Sequence, residues 1–478
     1  MKTILETRND CAKLNPEVYS FQFVLFVTTV TALGGFLFGY DTAVINGANT
    51  YLQAHFALDA SKDAWLIGLA TSAAILGCVP GASVAGFISD RFGRRNVLFT
   101  CALLYALSGL LSAIPQTFWQ FIAARVLSGI AIGASSMICP VYIAEIAPPK
   151  WRGRLGSLFQ LGIVSGIFLT LFINGWIQRP TDIAWNTAYG WRWMLAAEAI
   201  PACVFLLLLF AVPESPRWLI RAGREEEARS ILERVGGSDY AEAEISTVKQ
   251  VLEQEEGSFG ELLSRPYRLP ILIAIVLMFG SQFSGINAIM YYSTEIFRNT
   301  TGNAKAAFSA SVWIGLVNLV ATFIAILFVD RAGRKPLLLL GNAIQVLALG
   351  SVGWIFAVRP HSAMLLWLVI LYVAAFAMAM GPLPWIICSE IFPGKLRGRA
   401  MSVSTFCIWS GCLMVAQTFP LSVKYLGPSR TFWVYASCSA VTLLFVLLRL
   451  PETKGRSLEE IEIFWKRRSM SQHSRNPR

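Results

Sequence analysis

The sequence predicts an all-α membrane protein of twelve transmembrane helices, and three observations carry that prediction. Only 14% of the 478 residues are charged and 55% are hydrophobic, with a mean hydropathy of +0.55. A soluble domain carries about 25% charged residues, so this chain lacks the polar surface to cover a globule of its size. The charges are missing in long blocks, each matching the roughly 20 apolar residues that cross a bilayer. The apolar runs are also continuous and lack the alternation of barrel strands. The composition excludes a disordered tail protein, a collagen-like fibre and a small disulfide scaffold, and it argues against an ordinary soluble enzyme.

The spans follow in order. No charge lies between Glu17 and Asp41, or between Asp63 and Asp90. The stretch from Arg95 to Glu145 holds two spans, with Pro115 and Gln116 as the turn and Arg125 inside. Arg154 to Arg179 is the fifth span, and Trp191 to Val212, carrying Glu198, is the sixth. Then come Arg268–Glu295, Lys305–Asp330, Lys335–Arg359, Arg359–Glu390, Arg399–Lys424 and Arg430–Arg449.

Alternate loops fall on two sides. One side, holding both termini, collects 30 of the 40 Lys and Arg residues, and the other collects eight. By the positive-inside rule the first side is cytoplasmic. Topology therefore accounts for the net charge of +11, and no nucleic-acid partner is needed. The first apolar run has full transmembrane length and lacks a small-residue cleavage site, so a removable signal peptide is not expected. Eight of the nine cysteines fall in spans and read as small apolar packing residues, and no metal site is expected from three scattered histidines.

The chain repeats itself. Asp90-Arg91-Phe92-Gly93-Arg94-Arg95 recurs 240 residues on as Asp330-Arg331-Ala332-Gly333-Arg334-Lys335. The ten residues from Glu145 to Arg154 recur from Glu390 to Arg399 with seven identities. Pro213-Glu214 and Pro451-Glu452 end the sixth and twelfth spans. This predicts two six-helix halves of the same orientation, 21–212 and 269–450. A parallel repeat places a site between halves near the midplane and works by rocking. The flanking pieces are a cytoplasmic N-terminus (1–20), a linker of amphipathic helices (213–268) and a cytoplasmic tail (451–478). The linker reads either as a solvated connection or as a latch beneath the halves.

Several motifs resemble the sugar porter family of the major facilitator superfamily. They are Gly34-Gly35-Phe36-Leu37-Phe38-Gly39-Tyr40-Asp41, Pro213-Glu214-Ser215-Pro216-Arg217-Trp218-Leu219, Gln282-Phe283-Ser284-Gly285-Ile286-Asn287 and Pro451-Glu452-Thr453-Lys454-Gly455. The resemblance covers Phe21 to Trp465 and is nearest to bacterial proton-linked pentose and hexose symporters. It implies the major facilitator fold and a small sugar or polyol as substrate, with the proton as coupling ion and no other cofactor. It also implies a protein that works as a monomer in the bilayer of a bacterial inner membrane.

Intramembrane charges are the first candidates for function. A charged side chain at a helix centre costs about 2.5–3.5 kcal/mol on insertion scales, so Asp41, Arg125 and Glu198 need a reason to be there. A static ion pair that fixes helix register is one reason. Proton coupling is the other: a carboxylate beside Arg⁺ stays ionised, and loss of that partner lets it protonate. The resemblance implies the second, since proton-coupled members carry Asp at the position of Asp41.

Amides suit sugar hydroxyls because they both donate and accept. Gln160, Gln282, Asn287 and Asn318 are conspicuous in apolar spans, and Asn287 and Tyr291 share a helix face. Each alone reads more often as glue between helices, worth about 0.6 kcal/mol, than as a ligand for substrate. The resemblance places all four around the central cavity with Phe38, Tyr291, Trp385 and Trp409. Gly381-Pro382-Leu383-Pro384-Trp385 breaks the tenth span, as either a packing kink or a gate beside substrate. Ser281, Ile167 and Ile408 depart from the family, whose close relatives carry Gln there, which leaves the particular sugar open.

The repeated cytoplasmic charges are the third constellation. Asp90, Arg91, Arg94, Glu145 and Arg154, with Asp330, Arg331, Arg334, Glu390 and Arg399, read as loop charges that set topology or as a latch that forms when this face closes. The expected function is proton-coupled symport, with a facilitator or a transporter-like nutrient sensor as alternatives. No phosphate loop, histidine cluster or nucleophile motif suggests an enzyme.

Overall fold

The computed structural model describes residues 20–60, 62–252 and 259–454, with Glu460, Phe464 and Trp465. The expected N-terminal segment and most of the expected tail lie outside the described residues. All regular structure among the described residues is helical. The first spans are α1 (Phe21–His55), α2 (Ala64–Phe92), α3 (Arg94–Ala113), α4 (Phe118–Ile146), α5 (Arg152–Ile177) and α6 (Ile183–Ala211). A connecting segment follows, with α7 (Pro216–Arg221), α8 (Glu225–Leu252, kinked at Gly236 and Gly237) and α9 (Phe259–Leu262). Then come α10 (Arg265–Arg298), α11 (Ala304–Ala332), α12 (Arg334–Val358) and α13 (Met364–Glu390).

The last apolar stretch, Leu396–Arg449, has 54 residues. As one straight helix it would run about 80 Å, far beyond a hydrocarbon core of roughly 30 Å. Gly427, at φ 79° and ψ 162°, divides it into α14 (394–426) and α15 (428–449). Gly411 packs against Gln282 while Thr442 packs against nearby Gly280, so the chain has turned back between them. Among the described residues the spanning helices therefore number twelve, as the charge-free blocks predict.

Local signals set the helix ends. The predicted turn at Pro115 and Gln116 leads into Thr117, whose hydroxyl accepts from Gln120 N at 3.3 Å while Gln120 Oε1 accepts from Thr117 N at 3.2 Å. This reciprocal cap satisfies two otherwise orphaned donors at the start of α4. Large apolar side chains point outward: Phe87, Trp176, Phe210, Leu347 and Trp367 are each 68% exposed or more. Water penalises such a surface and hydrocarbon does not.

Two compact units emerge, and their borders do not follow the 21–212 and 269–450 halves. The first unit contains Met1–Thr42, Leu76–Ile167 and Leu195–Glu255, and the second contains Ala43–Ile75, Phe168–Met194 and Glu256–Arg478. The reason is side-chain chemistry. Residues 43–75 and 168–194 bond to and pack on α10, α11 and α14 through Asn46, Ser72 and Leu171.

In the first unit α1 and α5 touch backbone to backbone. A Cβ on Gly39 would fall 1.9 Å from the Ile163 carbonyl oxygen. This contact fixes α1 two residues before Asp41. Overpacking typically costs about 1–3 kcal/mol. Gly39→Leu should therefore lower the melting temperature of purified protein by several degrees, read by tryptophan fluorescence; an unchanged melting temperature would refute the close approach.

Candidate functional site

The first unit holds a buried charged centre. Asp41 is 0% exposed and Arg125 2%. One Asp41 carboxylate oxygen accepts from Arg125 Nη1 and the other from the Ser128 hydroxyl. Arg125 Nη2 also donates to the Asp41 carbonyl at 3.1 Å. Helix α1 supplies the acid, and α4 supplies Arg125 and Ser128 three residues later, on one face. Glu198 is also fully buried, and it interacts electrostatically with Asp41 and Arg125. Among the described residues neither of its carboxyl oxygens meets a donor in hydrogen-bond geometry, and its nearest charged neighbours are Asp41 and Arg125. It sits where α6 loosens, between the segments ending at Ala196 and starting at Ala199. Phe38 and Gln160 are half-buried in the same unit, and Ile167 is buried.

The second unit brings an amide cluster together at a break in α10. The helix stops at Phe283 and restarts at Ile286, with Gly285 left-handed at φ 83°. Tyr372 from α13 satisfies the break: its hydroxyl donates to the Ser284 carbonyl at 2.9 Å. Next to it the Asn287 amide nitrogen donates to Gln282 Oε1 and to Cys412 Sγ, the latter at 3.0 Å. Gln282 Nε2 donates to Ser281 Oγ at 3.0 Å, and the Tyr291 hydroxyl lies 3.6 Å from Cys412 Sγ. Trp409 and Asn318 are buried, and Trp385 is half-buried just after the predicted break of α13. That break falls between Met378 and Leu383.

A second polar seam in this unit joins α1 and α2 to α10 and α14. The Asn46 carboxamide inserts into one turn of α10, donating to the Met290 carbonyl at 2.6 Å and accepting from Thr294 N at 3.0 Å. Glu295 accepts from Asn49 at 3.2 Å and Gln53 at 3.3 Å. Ser72 donates to Gln417 Oε1 at 2.6 Å.

Each unit also has a charged corner. In the first, Arg94 donates to Glu145 at 3.1 and 3.2 Å and to Asp90 at 3.0 Å, and Ser215 Oγ donates to Glu145 at 2.5 Å. In the second, Arg334 donates to Glu390 at 3.0 Å, and Thr453 Oγ1 donates to Glu390 at 2.6 Å. Glu214 accepts from the backbone N–H groups of Arg94, Arg95 and Ser215. Glu452 does the same for Arg334, Lys335, Thr453 and Lys454. Gly93 and Gly333, at φ 93° and 88°, make both turns possible. Arg91 and Arg154 are exposed, Arg399 is half-buried, and the side chains of Asp330 and Arg331 lie outside the described residues. Among the described residues no group of His, Cys, Asp and Glu is arranged to hold a metal ion.

A family model for sugar (and other) transporters matches residues 27–465. The chain belongs to this family. It is 40% identical over 465 residues to the arabinose-proton symporter of Bacillus subtilis, covering 96% of this chain and 99% of that one. It is 36% identical to the D-xylose-proton symporter of Escherichia coli K12, covering 94% and 96%. The inward-open structure of the xylose transporter XylE from E. coli superposes with a TM-score of 0.82 at 35% identity, over 93% of this chain and all of that one. As the motifs led one to expect, this sugar transporter has the major facilitator architecture and is a multi-pass membrane protein.

Reading the sequence missed several residues of this transporter's polar clusters. Cys412 reads as packing in the sequence, yet it receives the Asn287 amide. Ser128 is an ordinary small residue until Asp41 is placed beside it. Glu214 and Glu452 count only as repeat markers, although their shared place directly after the proline that ends the sixth and the twelfth span was a usable signal. Glu295 reads as the limit of a span, but it accepts from Asn49 and Gln53 of α1.

The two corner glutamates differ electrostatically. Burial pushes the Glu214 carboxyl above its usual range despite its backbone donors. At Glu452 burial pulls in the same direction, but four backbone donors outweigh it and hold the carboxyl below that range. A depressed carboxyl adds stability at neutral pH that is lost as pH falls through its folded value, and a raised one does the opposite. Glu452→Gln should therefore destabilise the transporter more than Glu214→Gln at pH 7, by about 1–3 kcal/mol against less. Melting temperatures of the two variants at pH 7 and pH 5 check this; equal losses at pH 7 would contradict it.

Proposed function

We propose that this chain is a secondary active transporter that moves a monosaccharide into the cell together with a proton, by alternating access. The observation that carries this reading is the buried Asp41 carboxylate held by Arg125 and Ser128. Arginine does not give up its proton, so it acts as the fixed countercharge. Asp41 is the group that changes charge. Protonation of Asp41 frees Arg125, and re-pairing expels the proton. Breaking such a pair leaves a buried charge, at a cost of about 3–5 kcal/mol, so the proton and the conformational change are tied together. Glu198, fully buried and interacting electrostatically with both, is the group toward which freed Arg125 can turn.

Gln160, Gln282, Asn287 and Trp385 are the residues we assign to sugar binding, with Phe38, Tyr291, Asn318 and Trp409 around them. Amides and aromatic faces match the hydroxyl edge and C–H face of a pyranose. The names of the bacterial relatives, symporters of arabinose and xylose, support a pentose-sized substrate. We further propose that both termini are cytoplasmic and that one chain in the bilayer is the working unit. The corners around Glu145 and Glu390 serve as the latch of the closed cytoplasmic face.

Two tests follow. Asp41→Asn mimics the protonated acid permanently. In proteoliposomes it should still exchange L-arabinose or D-xylose across the membrane but fail to accumulate either under a proton gradient. Normal accumulation with normal proton flux would move the coupling elsewhere, and full activity without any proton flux in the wild type would make the protein a facilitator. For the latch, Glu145→Gln with Glu390→Gln should raise cysteine labelling from the cytoplasmic side severalfold. Unchanged labelling from both sides would leave these charges with a topological role alone.

A further inference from the structure

We propose that Cys412 determines which sugars this transporter accepts, by positioning the Asn287 carboxamide and by presenting a weakly hydrogen-bonding ledge to the substrate. The inference rests on the sugar-binding reading above. It names the substrate class: pyranoses with hydrogen or methyl, rather than hydroxymethyl, at the ring carbon that faces this ledge.

The argument starts from hydrogen-bond accounting. An asparagine amide has two N–H donors and one carbonyl acceptor. Both donors of Asn287 are engaged inside the chain, one by Gln282 Oε1 and the other by Cys412 Sγ. Its Oδ1 accepts no bond among the described residues. Asn287 is half-buried, and its two acceptors, Gln282 and Cys412, are 6% and 4% exposed. The polarity of the amide is fixed through Gln282, whose Nε2 donates to Ser281 Oγ while Ser281 donates to the Met278 carbonyl, and the thiol takes up the second N–H, so that Asn287 offers an acceptor and no donor. A sugar hydroxyl must donate to Asn287, and Gln282 keeps one free N–H with which to donate in return.

The second half of the argument concerns what Cys412 brings with it. The close packing of Gly411 on Gln282 sets α14 against the break of α10. Ile408, one helical turn before Cys412, shares its face of α14. The surface beside the amide pair is therefore an isobutyl-sized group and a thiol, while Ser281 is spent on Gln282 and on the Met278 carbonyl. A thiol is a weak donor and a weak acceptor. A hydroxymethyl group buried against this ledge would lose its water without gaining a partner, whereas hydrogen or methyl loses nothing.

L-Arabinose, D-fucose and D-galactose form the test series, because they share a ring configuration and differ only in H, CH₃ or CH₂OH at C5. Wild type in proteoliposomes should bind the first two at least fivefold more tightly than D-galactose, measured by competition. Cys412→Asn, which adds a full amide to the ledge, should close that gap to twofold or less. Cys412→Ser keeps an acceptor for Asn287 and should hold L-arabinose affinity within threefold of wild type. N-Ethylmaleimide provides a measurement on the unmodified protein: L-arabinose should slow its reaction at one cysteine, and that protected site should vanish in Cys412→Ser.

A C5 preference that is absent from wild type, or unchanged in Cys412→Asn, overturns the inference, as does arabinose protection that persists in Cys412→Ser. Gln282→Ala separates this failure from failure of the site itself. If it weakens all three sugars tenfold or more, the sugar site stands whatever Cys412 does. If all three sugars bind Gln282→Ala normally, the site is misplaced and the inference falls with it.

Discussion

One constraint shapes most of the polar interior of this protein: hydrocarbon offers no hydrogen bonds, so buried charges and broken helix turns, Glu198 aside, are satisfied by the chain itself. The Asp41–Arg125 pair is the sharpest case. The acid is bound by a guanidinium on one side and a hydroxyl on the other, and the arginine returns to the same residue's carbonyl. Such a pair is not an economical way to stabilise a core, since apolar residues of equal volume do as well or better. Keeping it fits the role proposed for Asp41 as the group that changes charge.

The same constraint explains how the helices are allowed to break. The interruption of α10 at Gly285 is covered by Tyr372, and one turn further on Asn46 enters the helix with both faces of its amide. Irregular backbone at membrane depth occurs where protein can satisfy it, and such places gather the polar side chains from which binding sites are built. Gln282, Asn287 and Cys412 lie beside one break, and Trp385 follows another.

Outside the hydrocarbon the logic changes from necessity to repetition. The two corners share a plan: an arginine to a glutamate, a hydroxyl to the same glutamate, and a second glutamate capping the start of the next helix. The plan has diverged in detail, since Glu452 gathers one more backbone donor than Glu214, and its carboxyl is held below the usual range while burial holds that of Glu214 above it. A duplicated architecture can thus use the same geometry in each unit while tuning each separately.

Composition and spacing were enough to determine that this chain crosses the membrane twelve times, that its halves are repeats, and that Asp41, Arg125 and Glu198 are out of place unless they matter. Each is a property of local sequence: a run of apolar residues has one use at that length, and a charge within it has a price wherever it points. What a side chain touches is not local. Ser128 completes the Asp41 site, Cys412 takes the Asn287 amide, and Glu214 caps a helix some 120 residues earlier in the chain, each through a partner supplied by another helix. Only tertiary packing could decide that Cys412 belongs with the amides, or that residues 43–75 pack with the second unit, because register between helices is set by contacts summed over whole faces and no single residue encodes it.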